Sequence, residues 1–263
     1  MNMMIIACIC SISMRLNLRL SSVSLTPKSK LVPPHNIRNN LKLLAMGFGF
    51  DHVSGDFKVV RVVASYDQPF SAEVYSANAD VWRKIDPRPT DFPDCDEFDV
   101  CVNGFLCCEG LYGMMVFDLD KEVFTCGIDP LPSRSFNSTF INFNDSIAII
   151  TSTGYKLNAY NLWTLDDEAC LRGSGVEASW TLKLSIGVDC AVDYPPRVYG
   201  CFNSGDFLIC AGSGSYLLKN SHTEKTRNVP LANITGRRLI KYNESLVSIT
   251  GSNQVHQNAR END

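Results

Sequence analysis

Histidine is scarce. Only His35, His52, His222 and His256 occur in 263 residues. They lie too far apart to combine with one another, or with the Cys8-Ile-Cys10 pair, in the spacing of a usual zinc site. A site assembled from distant cysteines stays open. Charge of one sign is missing as well: Lys and Arg number 24 against 28 Asp and Glu, a formal net charge of -4. That balance excludes the concentrated basic face on which phosphate binding depends, so no nucleic acid is expected as a partner. Arg15, Arg19, Lys28, Lys30 and Arg38 near the start read as a solvated flank. Arg227, Arg237, Arg238 and Lys241 read as a solvated strand and its turns. No apolar run reaches the roughly 20 residues of a membrane span. The apolar start MNMMIIACICSISM is broken by Arg15 and has no basic stretch before it. It admits a signal peptide, a buried strand or a segment of an altered N-terminus, and no membrane partner is expected.

Cysteine is plentiful, with eleven copies, but the settings argue against a disulfide framework. Cys101, Cys107 and Cys108 lie in FDVCVNGFLCCEG and Cys210 ends FLIC, apolar strand settings in which a free thiol acts as a small hydrophobe. An odd total leaves at least one thiol unpaired within the chain. A reducing compartment follows, cytoplasmic with the nucleus also open. The acceptor patterns at Asn137, Asn144, Asn233 and Asn243 would carry glycans only in a secreted chain.

Short strands and turns fill the rest. Gly47-Phe48-Gly49-Phe50 alternates small with aromatic, as in a strand approached closely by a neighbour. The turn from His52 to Asp56 and the β-branched run Val59-Val60-Arg61-Val62-Val63 complete a hairpin. AEVYSANADVWRKID places a turn between Tyr75 and Trp82. Asn103-Gly104 is the strongest local hairpin signal in the chain. Asp118 to Lys121, Asn144-Asp145 and Asn203-Ser204-Gly205 mark further turns. Asp166 to Leu171 is the one plausible helical interruption. The turns recur at about 40 to 50 residues, the spacing of propeller blades. An all-β, kelch-type propeller of about four to five blades is therefore expected, with a β-sandwich as the alternative that needs the same hairpins.

Catalytic chemistry finds little support. Asp94, Asp96, Glu97 and Asp99 form the densest acidic cluster, and Asp166, Asp167 and Glu168 a second. Neither has the spacing of a calcium loop, and both read as solvated loops. No serine or cysteine sits in a nucleophile elbow. Ala211-Gly212-Ser213-Gly214-Ser215 lacks the Gly-Lys-Ser/Thr ending of a phosphate cradle and reads as a turn. Trp82, Trp163 and Trp180 read as packing anchors. No catalytic, cofactor or metal residue is assigned, and no cofactor is expected.

Several segments together resemble one family. GFGFDHVSGDFKVVRVV from Gly47 to Val63, EVYSANADVWRKID, VNGFLCC with MVFDLDKEVF, Gly175-Val176-Glu177-Ala178-Ser179-Trp180-Thr181 and Tyr242-Asn243-Glu244-Ser245-Leu246-Val247-Ser248 resemble successive motifs of plant F-box proteins with an F-box-associated interaction domain. TPKSKLVPP, from Thr26 to Pro34, is similar to the segment that precedes them. The resemblance implies a non-enzymatic substrate-recruiting module of an SCF ubiquitin ligase, binding a protein target through aromatics and arginines on its loops. For the related S-locus proteins it implies an S-RNase-like target and a role in self-incompatibility. Residues 1 to 25 show no F-box helical pattern, so docking to the cullin-ligase adaptor is not expected of them, and a truncated or decoy receptor is one reading. The expected division is an atypical segment over 1–40, the β-rich interaction domain over 41–250 and a polar tail over 251–263. A structural or regulatory interaction domain without a ubiquitin link is the alternative.

Overall fold

The computed structural model describes residues 19–21, 29–32, 41–65, 68–86, 98–110, 113–128, 138–152, 159–187, 197–202, 205–210 and 216–229. A short ribbon pairs β1 (Arg19–Ser21) with β2 (Ser29–Leu31). Four four-stranded antiparallel sheets follow, each a meander in which successive strands are neighbours. The first holds β3 (Leu41–Asp51), β4 (Asp56–Ser65), β5 (Gln68–Ser76) and β6 (Val81–Ile85). The second holds β7 (Val100–Val102), β8 (Phe105–Gly110), β9 (Gly113–Asp118) and β10 (Val123–Ile128). The third holds β11 (Ser138–Phe143), β12 (Ser146–Ser152), β13 (Ala159–Leu165) and β14 (Trp180–Gly187). The fourth holds β15 (Arg197–Phe202), β16 (Asp206–Cys210), β17 (Tyr216–Asn220) and β18 (Thr226–Val229).

Each hairpin forms where local chemistry directs it. Asn103 and Gly104 both take positive φ, at 49° and 83°, as do Asn144 and Asp145 at 52° and 58°. Two central residues of this kind give the primed turn whose twist matches that of its strands. The interruption expected from Asp166 is a 3-10 turn over Glu168–Arg172. Asp167 caps it by accepting from the Ala169 amide, and Gly173 ends it at φ 65°.

Middle strands of the second and third sheets are apolar on both faces because each of these sheets lies between two neighbours. Leu106 and Cys108 of β8, with Met115 and Phe117 of β9, pack toward Val60, Val62 and Val74 of the first sheet. Their alternates Phe105, Cys107, Met114 and Val116 pack toward Phe140, Ile147 and Ile149 of the third. Ile141, Ala148, Ile150 and Leu162 meet Val198, Phe207 and Ile209 of the fourth. Period-2 alternation thus separates two apolar sets rather than apolar from polar. The outermost strands differ, with most of β10, β14 and β18 exposed or half-buried.

The expectation of a closed, kelch-type propeller is corrected by this topology. The described strands make four separate open sheets, each ending in two unpaired edges, and none closes on itself. Core clusters join the first sheet to the second, the second to the third and the third to the fourth, but none joins the fourth to the first among the described residues. The two facing sheets of a sandwich are not formed either. Repeated hairpin spacing encodes each meander and its neighbour. Closure is a contact between the ends of the chain, which no local pattern specifies.

Candidate protein-interaction surface

In a meander the first and third turns of a sheet fall at the same end. In the first three sheets those ends are tied together by side chains. The tie between the first and second sheets is ionic and buried. Lys58 on β4 donates to Asp51 at 2.8 Å and to the Leu119 carbonyl at 2.7 Å, and pairs with Glu122 at 2.9 Å. Arg83 on β6 pairs with the same Glu122. Burial alone would lower the Lys58 pKa, but the carboxylates of Asp51 and Glu122 outweigh it and raise the value above 10.5. Burial likewise opposes ionisation of Asp51. Hydrogen bonds from Lys58, Ser54 and the amides of Val53 and Ser54 prevail and hold it below 3.8.

Gly47 and Gly49 make this joint sterically feasible. A Cβ at Gly47 would lie 2.7 Å from Leu106 Cδ1 and 2.8 Å from Phe98 Cδ2. At Gly49 it would lie 2.6 Å from Leu119 Cδ1 and collide with Cys101 Sγ. The close approach expected from the alternating Gly-Phe pattern is therefore present. Its phenylalanines point the other way: Phe48 stacks on Phe57 with centroids 5.7 Å apart, and Phe50 packs between Phe57 and His52. Phe48 remains 44% exposed.

A tie of side-chain hydrogen bonds joins the second and third sheets. Asn103 Nδ2 donates to the Asp145 carbonyl at 3.0 Å and to Glu168 Oε1 at 2.8 Å. Here the turn end departs from short hairpins. The connection from Asp166 to Ser179 leaves its own sheet, and its 3-10 turn settles against β9 and β10. Leu171 and Cys170 are buried beneath it, and the Arg172 guanidinium lies 5.1 Å above the Phe105 ring. Beyond that anchor Arg172 to Glu177 are all exposed, with Val176 at 48%. Long connections held this firmly are where recognition residues tend to sit. At the base of the connection a shallow groove is lined by Phe143, Asn144, Ser146, Thr164, Asp166 and Lys183. Hydrogen bonds from Thr181 and Ser179 lower the Asp166 pKa, so the groove keeps an ionised carboxylate.

Residues singled out from the sequence are dispersed. Asp94, Asp96 and Glu97 lie outside the described residues, as do Cys8, Cys10, His35, His256, Gly212, Gly214, Asn137, Asn203, Ser204, Asn233, Asn243, Arg15, Lys28, Arg38, Arg237, Arg238 and Lys241. Asp99 accepts from the Glu109 amide and takes no part in an acidic cluster among the described residues. His52 and His222 are exposed in separate turns. Trp82 packs on Tyr75 and under Arg61, whose guanidinium is 4.1 Å from its ring, while Arg61 also pairs with Glu73 at 2.5 Å. Trp163 donates to Thr151, and Trp180 packs against the core of the second and third sheets. All three tryptophans serve packing. The Lys58 and Asn103 ties escaped the sequence reading, because their partners on the neighbouring sheets stand 42 to 65 residues away.

Among the described residues the thiols of Cys101, Cys107 and Cys170 are not activated: burial pushes Cys101 up to about 11 and holds Cys107 and Cys170 above their ordinary value. Among the described residues no group of three or more His, Cys, Asp or Glu side chains could hold a metal ion. Among them, too, no helix is long and apolar enough to cross a membrane.

Comparison with known proteins points one way. Residues 21–211 match the F-box associated beta propeller domain family. The chain is similar to an F-box/LRR-repeat protein of Arabidopsis thaliana, 26% identical over 153 residues, covering 55% of this chain and 34% of that protein. It is also similar to a protein described as an F-box protein of the same plant, 25% identical over 161 residues, covering 55% of this chain and 37% of the relative. The chain thus spans little more than a third of the length of these curated relatives.

Proposed function

This chain belongs to the F-box associated beta propeller domain family, and from that premise we propose that it is a non-catalytic protein-interaction module that recruits a protein target to an SCF-type ubiquitin ligase. The family match over residues 21–211 carries the reading. The turn end supports it, since there an anchored connection and exposed Phe48, Val176 and Arg172 offer the aromatic, apolar and arginine contacts on which protein binding concentrates. The interaction domain is taken to run over 41–250, between the segment 1–40 and the tail 251–263. An S-RNase-like target is the finer form of the reading that the S-locus resemblance implies. A cytoplasmic or nuclear setting accords with thiols that burial keeps protonated.

Affinity purification of the tagged chain from plant extract, with quantitative mass spectrometry of the bound proteins, tests this reading. A reproducible protein target is the expected result, and the cullin and its adaptor recovered with it support the ligase link. A target recovered without them removes the ligase link and leaves an interaction module of receptor or decoy type. No specific protein above a tag-only control overturns the module reading.

A further inference from the structure

Asp118 is a buried carboxylate with more charge than its turn uses. It ends β9 with 4% of its surface exposed, and accepts from the Asp120 and Lys121 amides at 3.0 and 3.2 Å, both through Oδ1. Its Oδ2 is buried and, among the described residues, receives no donor, a costly state for a carboxylate oxygen. The fourth sheet shows what the same turn needs. Asn220 ends β17 and accepts from the His222 and Thr223 amides through Oδ1, while its Nδ2 donates to Asp206 at 2.7 Å. Asp206 stands across the ladder from Asn220, and Phe105 stands in that place across from Asp118. An uncharged amide therefore suffices for the turn, and in the second sheet a ring replaces the polar partner.

A cation lies over that ring. The Arg172 guanidinium is 5.1 Å from the Phe105 centroid, and among the described residues it makes no ion pair. Phe105, Asp118 and Val123 are successive partners on one face of β8, β9 and β10. The 3-10 turn lies over the same face: a Cβ at Gly173 would stand 3.7 Å from Thr125 Oγ1, and Thr125 is two residues beyond Val123. Directly paired residues on one face are about 5 Å apart at Cβ, within the swing of an arginine side chain. Arg172 itself is exposed.

We propose that the connection from Asp166 to Ser179 is a strap with two seatings, and that in the second Arg172 leaves the Phe105 ring and donates to Asp118 Oδ2. The first seating offers the guanidinium to solvent, and the second withdraws it. The exchange trades a cation–π contact and hydration of the guanidinium for a charge-assisted hydrogen bond to a buried oxygen. Asp118 is then an internal competitor for Arg172. An acidic side chain of a partner protein must draw the arginine out before it can pair with it. That consequence rests on the reading of the chain as a protein-interaction module. The seating itself does not, and it is tested on the chain alone.

Hydrogen–deuterium exchange across residues 168–175 of the intact chain reads the closed seating. Asp118→Asn keeps an oxygen for the two turn amides and removes only the charge and the second acceptor. It should speed exchange about threefold to tenfold while Arg172 is present, part of what one hydrogen bond to a charged group supplies. With Arg172→Gln already in place it should have no further effect. No acceleration by Asp118→Asn, or an equal one in both backgrounds, overturns the proposal. So does Lys121→Gln acting as Asp118→Asn does, because it gives the carboxylate to the cation of its own turn. A high-resolution crystal structure decides without any substitution. Arg172 on Asp118 Oδ2 in at least one conformer supports the strap, and an ordered water on that oxygen with Arg172 confined to Phe105 overturns it. In each case the module reading is judged separately by the affinity purification.

Discussion

The joint between the first and second sheets and the joint between the second and third are built from the same kind of meander but fastened differently. In the first, Lys58 is buried among Asp51, Glu122 and the Leu119 carbonyl and pairs across the strands with Gly49, and the missing side chains of Gly47 and Gly49 admit Leu106, Leu119 and Phe98. In the second, the core is apolar and the fastening polar but exposed: Asn103 bridges two sheets through its side-chain amide, and a 3-10 turn lies over Phe105. A buried charge must keep its partners, because the cost of its desolvation is left uncompensated when they go. An exposed amide can turn to water instead. The first joint is therefore expected to be rigid and unforgiving, and the second adjustable. The adjustable joint is the one that carries the long exposed connection.

The largest break in this contrast should come from Lys58→Ala, which strands Asp51 and Glu122 in a buried site. A loss of about 3 to 5 kcal/mol is expected, read as a fall in the urea midpoint. The pH dependence of wild-type stability should have two shoulders from the same pair. Asp51, held below 3.8, contributes stability that is present above that value and lost as pH falls through its depressed pKa. Lys58, raised above 10.5, contributes stability that is present below that value and lost as pH rises through its elevated pKa. Both shoulders should shrink in the alanine variant, and unchanged shoulders would remove the ionic account of this joint.

Gly49→Ala should cost less, about 1 to 3 kcal/mol, because a methyl group must displace Leu119 and Cys101 from a packed interface. A neutral effect would mean that the two sheets can separate freely, against the rigidity argued above. The smallest effect belongs to the second joint. Asn103→Gly keeps the positive φ that the turn requires but removes the amide, at a cost of about 0.5 to 1.5 kcal/mol. Faster amide exchange confined to residues 166–179 should accompany it. A loss equal to that of Lys58→Ala would erase the distinction between the joints.

Much of the fold was legible because its signals are local. Asn103-Gly104, Asn144-Asp145 and the turn from His52 to Asp56 each join the strands that the pattern places around them. The Gly47 and Gly49 alternation announced a close neighbour without saying which. Less was legible of the candidate surface. The acidic run Asp94, Asp96, Glu97 and Asp99, read as a solvated loop, lies outside the described residues except for Asp99. Lys58 and Glu122 were not singled out, and Asn103 and Glu168 were read only as a turn residue and part of a solvated loop, since nothing near them in sequence identifies the hairpin each meets.

By itself, then, the sequence determined an all-β chain of antiparallel hairpins, the places where they turn and the apolar faces they must bury. Backbone preferences at turns and the alternation of side chains along a strand act over a few residues, and a linear reading can follow them. Tertiary structure alone decided that these hairpins build four separate open sheets, and that one joint is pinned by a buried lysine and the next by an exposed asparagine. Those outcomes depend on which faces meet across dozens of residues, where burial and partner distance set the energy of each charge and hydrogen bond.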